Sequence, residues 1–240
     1  MSTASEDREF LETYDPAEFD RPSVAVDVAL LTVSDGVLRV LVVEREEAPQ
    51  AGRWSLPGTF VGMAESLEDA ARRALATKAH VADVFLEQLY TFGAPDRDPR
   101  TRVLSVAYYA LVDAGRLSSA ELRRVRVPWE GEEGGPVEVV AADGEALPLA
   151  FDHAEILGMA VKRLRGKLDY TPIGFQLLPE RFTLRQLQDV HETILGRPLN
   201  KDSFRRRMLA SGQLEATGER EDEVEHRPAE LFCFTHRSAL

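Results

Sequence analysis

The sequence predicts an α/β (α+β) chain built as two architectures joined by a helix. Runs rich in β-branched residues alternate with a capped amphipathic helix over roughly the first 145 residues. From Asp152 the hydrophobic period turns helical, and residues 171–240 then read as helix, turn, basic helix and hairpin.

Each element has a local reason. Residues 1–20 are polar and are expected to form a flexible N-terminus. VAVDVALLTV (24–33) and VLRVLVVER (37–45) read as strands, with SDG between them as a hairpin turn. In the stretch LPGTFVGMAESLEDAARRALATKAHV (56–81), Ser66 is an N-cap, and Leu67, Ala70, Ala71, Ala74 and Leu75 form an apolar stripe. EQLYTF (87–92) and RVLSVAYYALV (102–112) are two more strands, SSAELRRV (118–125) a short helix and VEVVAA (137–142) another strand. Leu157, Ala160, Val161, Leu164 and Leu168 share one helical face, and Asp152 with Glu155 makes a capping-box pattern. The expected division is 1–20 flexible, 21–150 a first domain, 151–170 a linker helix and 171–240 a second domain.

Composition bounds the function. At 240 residues and 26.7 kDa the chain is long enough for two cores, and 44% hydrophobic with 29% charged residues suits a folded globular protein. No apolar run approaches the roughly 18 to 20 residues a membrane span needs, and MSTASEDREF is acidic where a signal peptide is basic and then apolar, so a cytosolic protein with no membrane partner is expected. The single Cys233 excludes an internal disulfide and a cysteine-cluster metal site, and reads as small core filler. The net charge of −12 argues against nucleic acid until it is divided. Residues 1–170 carry −11, whereas residues 171–240 carry ten basic against eleven acidic side chains, so there the placement of the charges decides.

The loop and helix at 56–81 resemble the Nudix box, Gly-x5-Glu-x7-Arg-Glu-U-x-Glu-Glu-x-Gly-U, where U is a bulky aliphatic residue. Glu65 and Arg73 match, as do Gly58 in the preceding loop and Leu75 and Val81 at the aliphatic positions. Thr59 and His80 replace the two glycines, and Ala74, Thr77 and Lys78 occupy the three helical glutamate positions. Nudix hydrolases cleave diphosphates with Mg²⁺ or Mn²⁺ gathered by those carboxylates. Here an alanine and a threonine supply none, and a lysine stands where the cation would sit. The resemblance therefore implies no catalysis and no metal, but a pocket that still accepts a nucleotide diphosphate, with Lys78 and nearby arginines in the metal's place.

VVERE, GRWSLPGTFV and APDRDPRTRVLSVAYYALV extend the likeness to Nudix-related transcriptional regulators of NAD metabolism, over most of residues 21–238. This implies a Nudix-like α/β/α sandwich for the first domain. Arg97, Arg100 and Arg102 cluster around Asp98 in a loop with two prolines that reads either as a solvated turn or, in that family context, as a rigid basic loop at the pocket with Arg97 and Arg100 available for phosphate or ribose. Arg45, Arg53, Trp54, Gly58, Glu65, Arg73 and Lys78 complete the candidate ligand site, Trp54 as core or as a stacking surface for adenine.

In FTLRQLQDVHETILG, Thr183 caps a helix and Gln186 completes a capping box. Leu187, Val190 and Ile194 form its inner face, and Gly196 with Pro198 ends it. Asn200 then caps NKDSFRRRMLASG, where Phe204 and Met208 turn inward while Lys201, Arg205, Arg206 and Arg207 stand elsewhere. His191 in the first helix reads as capped or solvated. QLEAT and AELFCFTH are two short strands. This order is that of a winged helix-turn-helix, whose second helix enters the major groove. Candidate DNA contacts are Thr183, Asn200, Lys201, Ser203, Arg205, Arg206 and Arg207, with Arg220, His226 and Arg227 on the wing. Five acids between Glu219 and Glu225 weaken the wing as a phosphate contact.

The combined expectation is a homodimeric repressor that binds double-stranded operator DNA, needs no cofactor, and responds to ADP-ribose, NAD or a related metabolite. The likeness implies that its targets are NAD biosynthesis or salvage genes. A residual ADP-ribose pyrophosphatase using Glu65, Glu68 and Asp69, and a protein-interaction module docking through the basic helix, are the competing classes.

Overall fold

A computed structural model of the chain describes residues 3–117, 122–168, 171–222 and 228–235. In chain order, α1 (Thr3–Thr13) precedes β1 (Ser23–Ser34), β2 (Val37–Leu41), β3 (Val43–Glu44), β4 (Trp54–Ser55), β5 (Gly58–Phe60) and α2 (Leu67–Lys78). Then come β6 (Phe85–Phe92), β7 (Val103–Leu111), β8 (Leu122–Arg126), β9 (Glu138–Val140) and α3 (His153–Lys167). The remainder is α4 (Leu184–Leu195), α5 (Lys201–Ala210), β10 (Leu214–Arg220) and β11 (Glu230–Phe234).

The main sheet has seven strands in the order β6-β7-β1-β2-β8-β9, with β5 also on β1; β1 and β7 run parallel and the other pairs antiparallel. Side chains alternate across a strand, so β1 serves two layers. Val26, Val28 and Leu30 pack with Ala70, Ala71 and Leu75 of α2, while Ala29 and Leu31 join the cluster that contains Ile156, Leu157 and Leu164 of α3. That makes an α/β/α sandwich, and the segment expected to be a linker is also its second helical layer.

Four local expectations differ from the fold. The strand expected over 37–45 divides, because β3 leaves the main sheet to pair with β4. Within the expected helix at 118–125, residues 118–121 lie outside the described residues, and from Leu122 the chain is a strand hydrogen-bonded between β2 and β9. Cross-strand pairing outweighs the weak helical preference of that segment. The N-terminus forms α1, with Phe10 and Leu11 exposed. Asp152 is the N-cap residue of α3 but its carboxylate makes no capping bond; Arg97 holds it instead.

Two contacts fix α3, one along its length and one in its last turn. Gly158 lies against the β8–β9 loop so closely that a Cβ there would strike the Gly135 carbonyl. Arg165, 6% exposed, donates from Nε to the Ile194 carbonyl in the last turn of α4 and from Nη1 to the Trp129 and Gly131 carbonyls. Its guanidinium also lies over the Trp129 ring. Burial pushes the Arg165 pKa down from its ordinary value. The buried core runs without a break from the sheet through α3 to Leu187, Ile194, Phe204 and Phe232.

Candidate functional site

A cleft of about 580 Å³ opens where β1, the β3–β4 region, β5 and the 97–100 loop meet the start of α3. Its floor follows from strand parity. Asp27 and Ser105 sit on the α3-facing sides of β1 and β7, and the Ser105 hydroxyl donates to Asp27 Oδ2 at 2.5 Å. His153 Nδ1 accepts the Leu56 amide proton at 2.9 Å, which leaves the ring proton on Nε2, 3.5 Å from Asp27 Oδ1. Arg97 bridges the sheet to α3, with Nε and Nη2 donating to Asp152 at 2.8 and 2.6 Å and Nη2 reaching Asp27 at 3.4 Å. Burial alone would raise the Asp27 carboxyl. His153, Ser105 and Arg97 together outweigh it and hold the group at about 2.

Of the candidate ligand residues, Arg45, Gly58, Lys78, Arg97, Asp98 and Arg100 line this cleft. Gly58 is there because a side chain would collide with Asp27 and the Val26 carbonyl. Arg100 grips Asp98 with two nitrogens, Nε at 3.0 Å and Nη2 at 2.7 Å, and these hydrogen bonds hold the Asp98 carboxyl below its usual range. Lys78 ends α2, and no hydrogen bond or ion pair engages its ammonium among the described residues.

Arg53, Trp54, Glu65 and Arg73 stand outside the cleft lining. Arg53 donates to the Leu149 carbonyl, and Trp54 is packed against the core with Arg123 over its ring. Arg73 binds Glu65 through Nε at 3.0 Å and Nη2 at 2.5 Å, and also reaches Thr59 Oγ1 and the Phe60 carbonyl, each at 2.9 Å. Glu65 in turn accepts the Gly62 amide proton. This matched pair of the box therefore fastens the loop beneath the cleft. The other helical positions fit no divalent cation: Ala74 is buried, the Thr77 hydroxyl donates to the Arg73 carbonyl, and Lys78 is cationic. Glu68 pairs with Arg72 and Asp69 accepts from Ser66. Sequence reasoning missed Asp27, His153, Phe60 and Phe151, and the acids Glu44, Glu46 and Glu47, which also line the cleft. Glu44, Glu46 and Phe60 lie within the stretches that carry the family likeness, but nothing in those stretches marked them as cleft residues, and Asp27, Glu47, Phe151 and His153 lie outside them.

The second surface is built by α4 and α5. The Thr183–Gln186 capping box is complete, Gly196 closes α4 in the left-handed region at φ 69°, and the Asn200 side chain caps the Ser203 amide. Between the helices, Glu192 Oε1 accepts from Leu199 N at 2.9 Å and Gln188 Nε2 at 2.7 Å, while Gln188 also donates to the Leu199 carbonyl. The Leu199 hydrogen bond, then that from Gln188, lowers the Glu192 pKa. His191 is buried rather than solvated, with its ring 5.1 Å from that of Phe204. Phe204 and Met208 turn inward, which leaves Lys201, Ser203, Arg205, Arg206 and Arg207 exposed.

Thr183 is only 3% exposed and its hydroxyl is used by the cap, so it presents nothing at the surface. Asn200 likewise commits its side-chain oxygen to capping. On the β10–β11 hairpin, Arg220 donates to the Pro228 carbonyl and Glu219 pairs with Arg181. His226 and Arg227 lie outside the described residues. Cys233 is half-buried on β11.

These features define a Nudix-type sandwich with an altered box, joined to a helix-turn-helix with a two-stranded wing. Residues 21–148 match the NUDIX domain family, and residues 174–234 match the NrtR DNA-binding winged helix domain. A relative from Acinetobacter baylyi, the "ADPR responsive transcriptional repressor NtrR", is 34% identical over 232 residues, covering 96% of this chain and 89% of the relative. The crystal structure of Shewanella oneidensis NrtR complexed with a 27mer DNA aligns with a TM-score of 0.72 at 35% identity, over 88% of this chain and 93% of that one. The NUDIX domain of Shewanella oneidensis NrtR complexed with ADP ribose aligns at 0.50 with 32% identity, over 68% of this chain and 99% of that one. The chain belongs to the NrtR family of Nudix-related transcriptional regulators.

Proposed function

We propose that this protein is an ADP-ribose-responsive repressor that binds duplex operator DNA as a homodimer in the cytosol and acts on genes of NAD biosynthesis or salvage. Its Nudix cleft holds the metabolite without hydrolysing it. The observation that carries this reading is Lys78, an ammonium in the cleft that no group among the described residues engages, at a position where the Nudix box would place a metal-binding carboxylate. An ammonium there answers phosphate charge directly, and binding should be independent of divalent cations. Lys201, Arg205 and Arg206 on exposed faces of α5 supply the phosphate and base contacts on the DNA.

The two sites share α3. Arg97 and His153 tie its first turn to the cleft floor, and Arg165 ties its last turn to α4. A ligand that redistributes the hydrogen bonds of Arg97 or Arg100 would bias how α3 seats, and with it the spacing of the two α5 helices in the dimer. A typical coupling of about 1 to 3 kcal/mol corresponds to a 5- to 150-fold change in operator affinity. Calorimetric titration of ADP-ribose and NAD, with Mg²⁺ or with EDTA and with and without operator duplex, tests the reading. Expected are metal-independent binding, a shifted DNA isotherm and no AMP. Arg100→Ala should shrink the shift and leave ligand-free DNA binding intact. Metal-dependent AMP release abolished by Glu65→Gln would instead establish a pyrophosphatase, and ligand binding that leaves the DNA isotherm unmoved would reject the sensor.

A further inference from the structure

We infer that Phe60 and Arg100 form a stacking platform for the nucleobase of the ligand at the mouth of the cleft. This deepens the nucleotide reading above and rests on it. Phe60 lines the cleft yet is 45% exposed. The other phenylalanine of the cleft, Phe151, is already covered: it is half-buried, the Arg45 guanidinium lies 4.9 Å from its centroid, and the His153 ring is 5.6 Å away. Phe60 also has a guanidinium over its ring, that of Arg100, but with no second ring against it among the described residues and 45% of it exposed it keeps aromatic surface that a ligand can cover.

A single exposed ring is ordinary on a protein surface. Phe60 differs in how firmly it is held. Its strand is paired with β1, with Phe60 opposite Ala25, and Arg73 binds both its carbonyl and the neighbouring Thr59 hydroxyl. Arg100 sits with its Cζ 5.4 Å from the Phe60 centroid, and Asp98, 7% exposed, fixes that guanidinium with two hydrogen bonds. A planar cation and a flat ring are thus positioned in advance, so a stacked partner gains contact without the cost of ordering them. Lys78 lines the same cleft, so the matching ligand carries phosphate beside a flat heterocycle. That is the chemistry of a nucleotide, with the base on Phe60 and a phosphate on Lys78.

Base–aromatic stacking is worth about 1 to 3 kcal/mol, or roughly 5- to 150-fold in affinity. The test uses the full chain with two probes, ADP-ribose and inorganic pyrophosphate, which lacks a base. Phe60→Leu keeps the apolar bulk and removes the ring face; it should weaken ADP-ribose by about tenfold or more and move pyrophosphate competition less than about twofold. Phe60→Trp should retain ADP-ribose affinity and show indole quenching on binding that the unsubstituted chain lacks. Unchanged ADP-ribose affinity in Phe60→Leu, or equal losses for both probes, would overturn the platform while leaving the nucleotide reading in place. A lower oligomeric state in Phe60→Leu, with ligand affinity unchanged, would assign the ring to contact with a second copy and overturn the platform too. If the unsubstituted chain binds no ADP-ribose, both readings fall.

Discussion

Arg97→Met tests the joint between the cleft floor and α3. The guanidinium side chain is 5% exposed, and its two acidic partners, Asp27 and Asp152, are 11% and 16% exposed. Three hydrogen bonds of 2.6, 2.8 and 3.4 Å vanish with it, and two nearly dry carboxylates lose their cation. At an effective dielectric near 20, one charge pair about 4 Å apart is worth about 4 kcal/mol, and breaking a buried pair from one side costs about 3 to 5 kcal/mol. Asp27 keeps Ser105 and His153, and Asp152 lies near enough to the surface to take up water, so a loss of about 3 kcal/mol is expected. Urea unfolding followed by the fluorescence of Trp54 and Trp129 measures it. Arg97→Met/Asp152→Asn should recover part of the loss by removing one stranded charge. A single variant within about 1 kcal/mol of the parent, or a double variant no better than the single, would refute the idea that this joint fastens α3.

Three further outcomes are expected. The Asp27 carboxyl is held at about 2 against an ordinary 3.8, so its stabilising contribution is complete above the ordinary value and is lost as pH falls through about 2. The loss amounts to about 2 kcal/mol, visible as a steep acid limb in stability between roughly pH 4 and 2 that Asp27→Asn flattens in part, since Asp98 and Glu192 are lowered as well. Arg205→Ala or Arg206→Ala should weaken operator binding by about 1 to 3 kcal/mol where the side chain reads a base, and should reduce the salt slope where it meets phosphate; fluorescence anisotropy at several salt concentrations separates the two. Gly158→Ala should destabilise the chain by about 1 to 3 kcal/mol in thermal or urea unfolding, against the roughly 1 kcal/mol gain that alanine usually brings to a helix interior, because the new Cβ meets the Gly135 carbonyl.

The parts legible from sequence are those whose causes lie within a few residues of one another. The capping box of Thr183 and Gln186, the glycine stop at Gly196 and the Asn200 cap all follow from local hydrogen bonding, and together they set the helix-turn-helix in register. The inward face of α3 was equally readable from its spacing. The parts that escaped are set by distant partners. Asp152 looked like a helix cap, yet its carboxylate answers Arg97, 55 positions away. Leu122 to Val125 read as the end of a short helix, yet β2 and β9 supply edges for them to pair with. In the cleft, the basic loop was visible as a cluster, whereas Asp27, Phe60 and His153 come from three separate elements with no shared motif. The altered Nudix box was readable as a pattern, but the work of Glu65 and Arg73 was not, because only the folded loop brings Thr59 and the Phe60 carbonyl within reach of the guanidinium.

The hydrogen-bond partners of Arg165 are all carbonyl oxygens. No carboxylate is paired with it among the described residues, and at 6% exposure dissolved ions hardly reach its charge. The arginines of α5 stand in the opposite condition, open to the solvent and to every counterion in it. Ionic strength therefore acts on the exposed α5 arginines far more than on the Arg165 joint. Added salt screens the α5 arginines, while the carbonyl partners of Arg165 carry no net charge for dissolved ions to screen. On the function proposed above, salt thus weakens the contact of α5 with a duplex without acting directly on the buried Arg165 contacts that seat α3 on α4.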